Sequence, residues 1–132
     1  CTEGYGMNIP AIDMIISDGT KLIITVDTGI TASEEAEYIK SKGADLIVTD
    51  HHGCHGVLPD AVAVINPKRE DDEYPFKELA GVGVVFKFIT ALEFLIQEER
   101  LFGGGGGLDI NERMSRMTAC ENCNFLERKI RV

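Results

Sequence analysis

The sequence has 132 residues, of which 44% are hydrophobic, so it can bury the core of one compact domain. Its formal net charge of −9 argues against a protein that holds nucleic acid through a broad basic surface, because such binding neutralises phosphates with Lys and Arg. The four cysteines are irregularly placed, and no stretch is typical of a secretory signal or a membrane span. We therefore expect a cytoplasmic protein that does not enter a membrane.

The first predicted element is a helix that Asn8 caps and that has Pro10 in its first turn. Gly19 is expected to end it. Three isoleucines form its apolar face: Ile12, Ile15 and Ile16. The short apolar run Leu22–Val26 that follows is typical of a strand buried on both faces of a parallel sheet.

A second helix is predicted next, because residues 31–34 read Thr-Ala-Ser-Glu, the form of a capping box, and Gly43 is a good C-terminal stop. Residues 46–48 then repeat the strand pattern. The segment 21–50 is therefore predicted to be a βαβ unit, whose right-handed crossover makes its two strands parallel. Open sheets of this class bind ligands just beyond the carboxyl ends of their strands.

Residues 61–65 give a third strand, closed by Asn66 and Pro67, and the acidic run 70–73 is interpreted as a solvated loop. A long helix is predicted over residues 79–101. Five apolar residues form its expected buried stripe: Val85, Phe88, Ile89, Leu92 and Ile96. The predicted fold class is α/β, with a parallel sheet flanked by helices.

Five consecutive glycines at residues 103–107 lose too much backbone entropy to form a regular element, so they are interpreted as a linker or a join. One domain is predicted over residues 1–102, and the tail 108–132 is left unassigned. Cys120 and Cys123 have the CxxC spacing of half a zinc site or a redox pair, but without a second CxxC they are interpreted as incidental.

The residues that indicate chemistry stand where the first two strands end. Asp27 follows one strand, and Asp50, His51 and His52 follow the next. All three histidines of the chain lie within five positions, and a mixed Asp and His group is typical of sites for hydrolytic divalent metals. The structural alternative is that Asp50 caps the following turn and the histidines are exposed.

Asp27, Thr28 and Gly29 would be a weak signal alone, because such turns after strands are common. Together with the Asp50 cluster they predict a pair of metal ions, bridged by Asp27, that could clamp a phosphodiester and activate water. Gly81 and Gly83, at the start of the long helix, could present backbone amides to a phosphate, or could simply allow close helix packing.

With these motifs, the chain resembles the DHH phosphoesterase superfamily, and most closely its RecJ-like exonucleases specific for single strands. The resemblance covers about three quarters of the chain. It is carried by six segments, at residues 3–6, 24–30, 48–52, 58–61, 64–68 and 74–83. The resemblance implies a Rossmann-like parallel α/β domain that needs Mn²⁺ or Mg²⁺ and degrades single-stranded DNA from 5′ to 3′, in DNA repair and recombination.

The resemblance also implies roles for particular residues. Asp27, Asp50 and His51 are expected to hold the metals, with Asp50 orienting or co-ligating. His52 is expected to face the substrate phosphate. Asn66, Gly81 and Gly83 are expected to form the wall of the site that contacts substrate.

The chain departs from the family pattern in two places, because an aspartate-rich strand before Tyr5 and an aspartate-bearing strand after the long helix are both missing. We therefore expect an incomplete domain that needs the rest of a parent protein and has little activity alone. Two alternatives remain open: a non-catalytic binding or scaffold module of the same fold, or a phosphodiesterase acting on cyclic dinucleotides or short oligonucleotides.

Overall fold

The computed structural model describes residues 6–102, with side chains described through residue 97. This part of the chain contains three helices and three strands. They are α1 (Ile9–Ser17), β1 (Leu22–Val26), α2 (Ser33–Ser41), β2 (Asp45–Thr49), β3 (Ala63–Ile65) and α3 (Gly81–Phe102). The strands form one parallel sheet in the order β1-β2-β3. The predicted α/β class and the parallel βαβ unit are confirmed.

Helix α1 begins as the sequence predicts. Asn8 is its N-cap, and the Asn8 side-chain oxygen accepts a hydrogen bond of 2.9 Å from the Ala11 amide. Pro10 lies in the first turn, where a missing N–H is harmless. On its apolar face Ile12 is buried, while Ile15 is 43% exposed.

Helix α2 differs from its prediction at the amino end. Its N-cap is Ala32 and its first residue is Ser33, so the predicted capping box at residues 31–34 is wrong. The chain turns through residues 29–32 instead, where the Ala32 amide donates to the Gly29 carbonyl, and this turn moves the helix start past Thr31. At the other end Gly43 has φ +73°, a conformation that glycine adopts without strain, and it ends the helix as predicted.

Helices cover both faces of the sheet and give it two apolar layers. On one face, α1 and α2 pack against β2 around Ile39, Leu46 and Val48. On the other face, α3 packs over β2 and β3 around Ile65, Val84 and Phe88. Burying these side chains supplies the main favourable free energy of the fold.

Strand β1 is not buried on both faces, so that prediction is wrong. Leu22, Ile24 and Val26 are 46%, 44% and 54% exposed. The reason is its position, because β1 ends the described sheet on one side and the apolar cluster under α3 includes residues of β2 and β3 but none of β1.

The predicted buried stripe of α3 is wrong at two positions, which face solvent. Ile89 and Ile96 are 55% and 50% exposed, whereas Val84, Phe88 and Ala91 are buried. Apolar residues occur all round this helix, so their spacing alone could not identify the packed side. No described helix has both the length and the apolar character to cross a membrane.

Two shorter elements also differ from expectation. Strand β3 has three residues, Ala63–Ile65, where five were predicted. In the acidic run 70–73, Asp72 is 9% exposed because it folds inward to accept a hydrogen bond from the Tyr74 amide, so the solvated-loop prediction is wrong for this residue. Residues 103–107, the tail 108–132, Cys120 and Cys123 lie outside the described residues.

Candidate metal centre

The site is built where β1 and β2 leave the sheet side by side. The last registered pair is Val26 with Thr49, so Asp27 and Asp50 follow at neighbouring positions. The Asp27 amide donates to the Thr49 carbonyl at 3.0 Å and extends the ladder by one bond. The two strand ends therefore deliver their polar side chains to one edge, as the parallel topology predicts.

Asp27 has an unusual backbone for a residue with a side chain. Its φ is +61°, in the left-handed region that Asp tolerates better than most residues. This turn directs the Asp27 side chain across the edge of the sheet toward His51. Nε2 of His51 lies 2.9 Å from Oδ1 of Asp27.

This close approach is not a hydrogen bond. Oδ1 of Asp27 is buried and has no hydrogen-bond partner among the described residues, so a lone pair of the carboxylate and Nε2 of the imidazole share a small space. Two adjacent ligands of an octahedral ion at about 2.1 Å would stand about 3 Å apart, close to this separation. The arrangement fits a divalent cation, which would satisfy the orphaned oxygen.

His52 completes the group that could bind the ion. Asp27, His51 and His52 each offer one ligand atom, and these atoms lie within 4.8 Å of one another. Nδ1 of His52 is 2.6 Å from Oδ1 of Asp50, which leaves Nε2 of His52 for an ion or a phosphate. A carboxylate that holds the other ring nitrogen is the common second partner of a metal-binding histidine.

Asp50 is only 1% exposed and both of its oxygens are occupied. Besides the His52 ring, Oδ1 accepts from the His51 and His52 amides at 2.7 and 3.2 Å, and Oδ2 accepts from the Ile30 amide at 3.0 Å. Burial raises the pKa of Asp50, but these four hydrogen bonds outweigh it and hold the pKa below its ordinary value. Asp50 is not among the described residues whose ligand atoms converge.

Asn66 is fully buried and is hydrogen-bonded to the histidine loop. Its Nδ2 donates to the His52 carbonyl at 2.9 Å, and its Oδ1 accepts from the Lys68 amide at 2.8 Å. Both ends of the Asn66 amide are thus used within the protein, and they fix the backbone of the histidine loop to the end of β3.

Gly81 and Gly83 open helix α3 beside this edge. Gly81 is buried and stands against the Asp27 carboxylate, whereas the nearest neighbour of Gly83 is the Leu79 side chain. The structure therefore brings Gly81 to the candidate ligands and leaves Gly83 two residues further along the helix, against Leu79.

A cavity of about 350 Å³ lies between His52 and the loop from β1 to α2. Three carboxylates, those of Asp27, Glu35 and Asp50, are among the described residues that line it, and no Lys or Arg is. An anionic substrate that enters this space needs positive charge from elsewhere, and a bound cation supplies it.

Sequence reasoning missed two buried threonines that hold the edge together. The Thr25 hydroxyl donates to the Thr28 carbonyl at 2.8 Å, and the Thr49 hydroxyl donates to the Thr25 carbonyl at 2.6 Å. Both residues sit inside apolar runs, where Thr is typical of any strand, so no sequence signal distinguished them.

Comparison with known proteins agrees with this geometry. Residues 3–114 match the family described as "DHH family, N-terminal domain". The chain belongs to the DHH family. The matched residues include the Asp50, His51 and His52 triplet that follows β2.

Two DHH relatives show what the chain is similar to. It is 52% identical over 99 residues to the single-stranded-DNA-specific exonuclease RecJ of Bacillus subtilis. These residues make up 75% of this chain and 13% of that protein. It is 41% identical over 100 residues to RecJ of Escherichia coli. These residues make up 76% of this chain and 17% of that protein. The chain therefore spans about one sixth or less of the length of these relatives.

The fold of this DHH domain is also found in a solved structure described as exonuclease RecJ bound to manganese. The match has a TM-score of 0.55 and 32% sequence identity, and it covers 64% of this chain and 21% of that one. The resemblance to RecJ-like proteins that the sequence indicated is confirmed.

Proposed function

We propose that this chain is part of a metal-dependent exonuclease that hydrolyses phosphodiester bonds in single-stranded DNA. The observation that carries the proposal is the convergence of Asp27, His51 and His52, in which a buried carboxylate oxygen of Asp27 has no hydrogen-bond partner among the described residues. Support also comes from relatives named as exonucleases specific for single-stranded DNA, and from a similar structure named as bound to manganese.

Each residue at the edge has a distinct role in this proposal. Asp27 and His51 would hold the cation through the two atoms that lie 2.9 Å apart. His52 presents Nε2 to the cation or to the substrate phosphate, and Asp50 keeps that ring in the required tautomer and orientation. A bound Mn²⁺ or Mg²⁺ would stabilise the negative charge that develops on the phosphodiester.

The finer features of the activity belong to the same proposal. We infer that digestion runs from 5′ to 3′, that it serves DNA repair and recombination, and that the 132 residues alone cleave little. The last inference is supported by the short span of the chain relative to its relatives and by the small ligand set, because three ligands leave much of an octahedral ion uncovered.

Weak metal binding by the chain can be measured through the paramagnetism of Mn²⁺. In NMR spectra of the 132-residue chain, Mn²⁺ should broaden the imidazole signals of His51 and His52 well before that of His55. Asp27→Asn should reduce this broadening at equal Mn²⁺. Asp45→Asn is the matched control, because Asp45 is exposed at the opposite end of β2 and should change nothing.

The activity is tested in the full-length gene product with single-stranded oligonucleotides blocked at either end. We expect cleavage that requires Mn²⁺ or Mg²⁺, proceeds from an open 5′ end and is lost in Asp27→Ala. Full cleavage by Asp27→Ala would overturn the assignment. Preference for cyclic dinucleotides or short oligonucleotides would keep the metal site but replace the substrate, and metal binding without any cleavage would indicate a binding module.

A further inference from the structure

We propose that Gly81 is a positioning residue for the metal ligand Asp27. The absence of a side chain at the first residue of α3 leaves the space in which the Asp27 carboxylate meets His51. This inference rests on the proposed role of Asp27 in metal binding. It assigns Gly81 a different role from substrate contact.

The space beside Gly81 is filled by Asp27. A Cβ atom added to Gly81 would lie 2.2 Å from Oδ1 of Asp27, 2.6 Å from its Cγ and 2.9 Å from its Cβ. All three distances are shorter than non-bonded carbon and oxygen atoms tolerate. The contact with the Asp27 Cβ needs a shift of only a few tenths of an ångström, whereas the two carboxylate contacts require the side chain to rotate.

Asp27 cannot withdraw to make room. Its amide is hydrogen-bonded to the Thr49 carbonyl, and its φ of +61° is set by the turn that leaves β1. A methyl group at position 81 would therefore force the Asp27 side chain to rotate, and Oδ1 would leave its place 2.9 Å from Nε2 of His51.

Helix α3 cannot withdraw either. Three residues beyond Gly81, Val84 is fully buried in the core with Ile65 and Phe88. The Gly83 and Val84 amides both donate to the Ala80 carbonyl, which fixes the first turn. Moving the start of the helix would open this core, so the carboxylate is the part that must move.

The backbone of Gly81 does not itself demand glycine. Its φ lies outside the positive range in which L side chains are strained, in contrast to Gly29 and Gly43. Within a helix, replacing Gly by Ala normally favours folding. Gly81→Ala therefore separates the two effects, because it should help the helix while it displaces the ligand.

The test is calorimetric titration of Mn²⁺ into the full-length gene product, together with the thermal midpoint without metal. Gly81→Ala should weaken Mn²⁺ binding by at least tenfold. Val82→Ala is the control, because it also raises helix propensity at the next residue but Val82 is 77% exposed, so its affinity should stay within twofold of the unchanged protein. An affinity for Gly81→Ala that matches this control would overturn the proposal.

Asp27→Asn distinguishes this proposal from the function on which it rests. If Asp27→Asn binds Mn²⁺ as the unchanged protein does, the proposed metal site fails. If Asp27→Asn loses affinity while Gly81→Ala keeps it, only the role of Gly81 fails.

A second measurement covers the case in which Gly81→Ala destabilises the fold. Asp27→Gly removes the carboxylate and suits the positive φ, so adding Gly81→Ala to Asp27→Gly should not lower the thermal midpoint. An equal loss of stability in both backgrounds would show that the contact with Asp27 is not the cause, and would overturn the proposal.

Discussion

Polar side chains at the carboxyl end of the sheet and those on the outer surface of the domain have opposite surroundings. At the carboxyl ends of the strands, four polar residues are buried and hydrogen-bonded inside the protein: Thr25, Thr49, Asp50 and Asn66. Away from this end, charged pairs such as Lys40 with Asp60 are open to water, with both side chains more than 60% exposed. Burial makes each polar contact at the carboxyl end expensive to lose, whereas an exposed ion pair contributes little.

The largest expected difference between these regions is that between Asp50→Ala and Asp60→Ala. Asp50→Ala leaves the Ile30, His51 and His52 amides without their acceptor, and we expect the free energy of unfolding to fall by about 3 kcal/mol. Asp60→Ala breaks an exposed pair and should cost far less. Urea denaturation of the two variants measures both values, and equal losses would contradict the contrast.

Asn66 tests the same contrast without a charge. Asn66→Ala removes a fully buried amide that joins the His52 carbonyl to the Lys68 amide, so we expect a loss of about 2 kcal/mol. Asn66→Asp keeps the size and the acceptor for Lys68 but cannot donate to His52. If denaturation shows Asn66→Asp to be as stable as the unchanged chain, the bond to the histidine loop has no energetic role.

Much of this edge follows from the sequence because it depends on topology. Two apolar runs joined by a helix dictate a parallel pair, and a parallel pair places Asp27 beside the Asp50 triplet. The 2.9 Å approach of Asp27 to His51 is the local outcome of that rule. Residue type and order are sufficient to predict this placement, because the parallel pairing of the strands does not depend on which helix packs against which face of the sheet.

The remaining features depend on contacts between distant elements. Asn66 reaches the His52 carbonyl and Thr49 reaches the Thr25 carbonyl across gaps of 14 and 24 positions, and no local pattern encodes such a bond. The exposure of Ile24 and Ile89 has the same origin, because an apolar side chain is buried only where another element covers it.

Gly29 and Gly43 both have a positive φ, but they differ in the space available to a side chain. Gly29, in the loop after β1, has φ +108°, and Gly43, at the end of α2, has φ +73°. Gly43→Ala meets no atom within 4 Å and should cost about 1 kcal/mol for the backbone alone. Gly29→Ala also brings a Cβ to 3.0 Å from the Thr25 hydroxyl and 3.3 Å from Val48, so it should cost about 1 kcal/mol more. Thermal denaturation that ranks the variants in the reverse order would contradict this account.

Acid should affect the carboxyl end before it affects the apolar core. The pKa of Asp50 in the folded chain lies below its ordinary value of 3.8, so its ionised form stabilises the fold above that value. The sign follows from linkage, because the unfolded chain binds the proton first as the pH falls. The contribution of Asp50 is therefore full near neutral pH and is lost as the pH drops below 3.8 through the folded-state pKa.

Asp50→Asn removes this titration. The free energy of unfolding of Asp50→Asn should be lower than that of the unchanged chain at pH 6, and the two curves should approach each other as the pH falls below 4. Asp45→Asn, at the opposite end of β2, should keep the pH dependence of the unchanged chain. Urea denaturation at a series of pH values distinguishes these outcomes. A gap between Asp50→Asn and the unchanged chain that stays constant down to pH 2 would mean that the Asp50 carboxylate does not stabilise the edge through its charge.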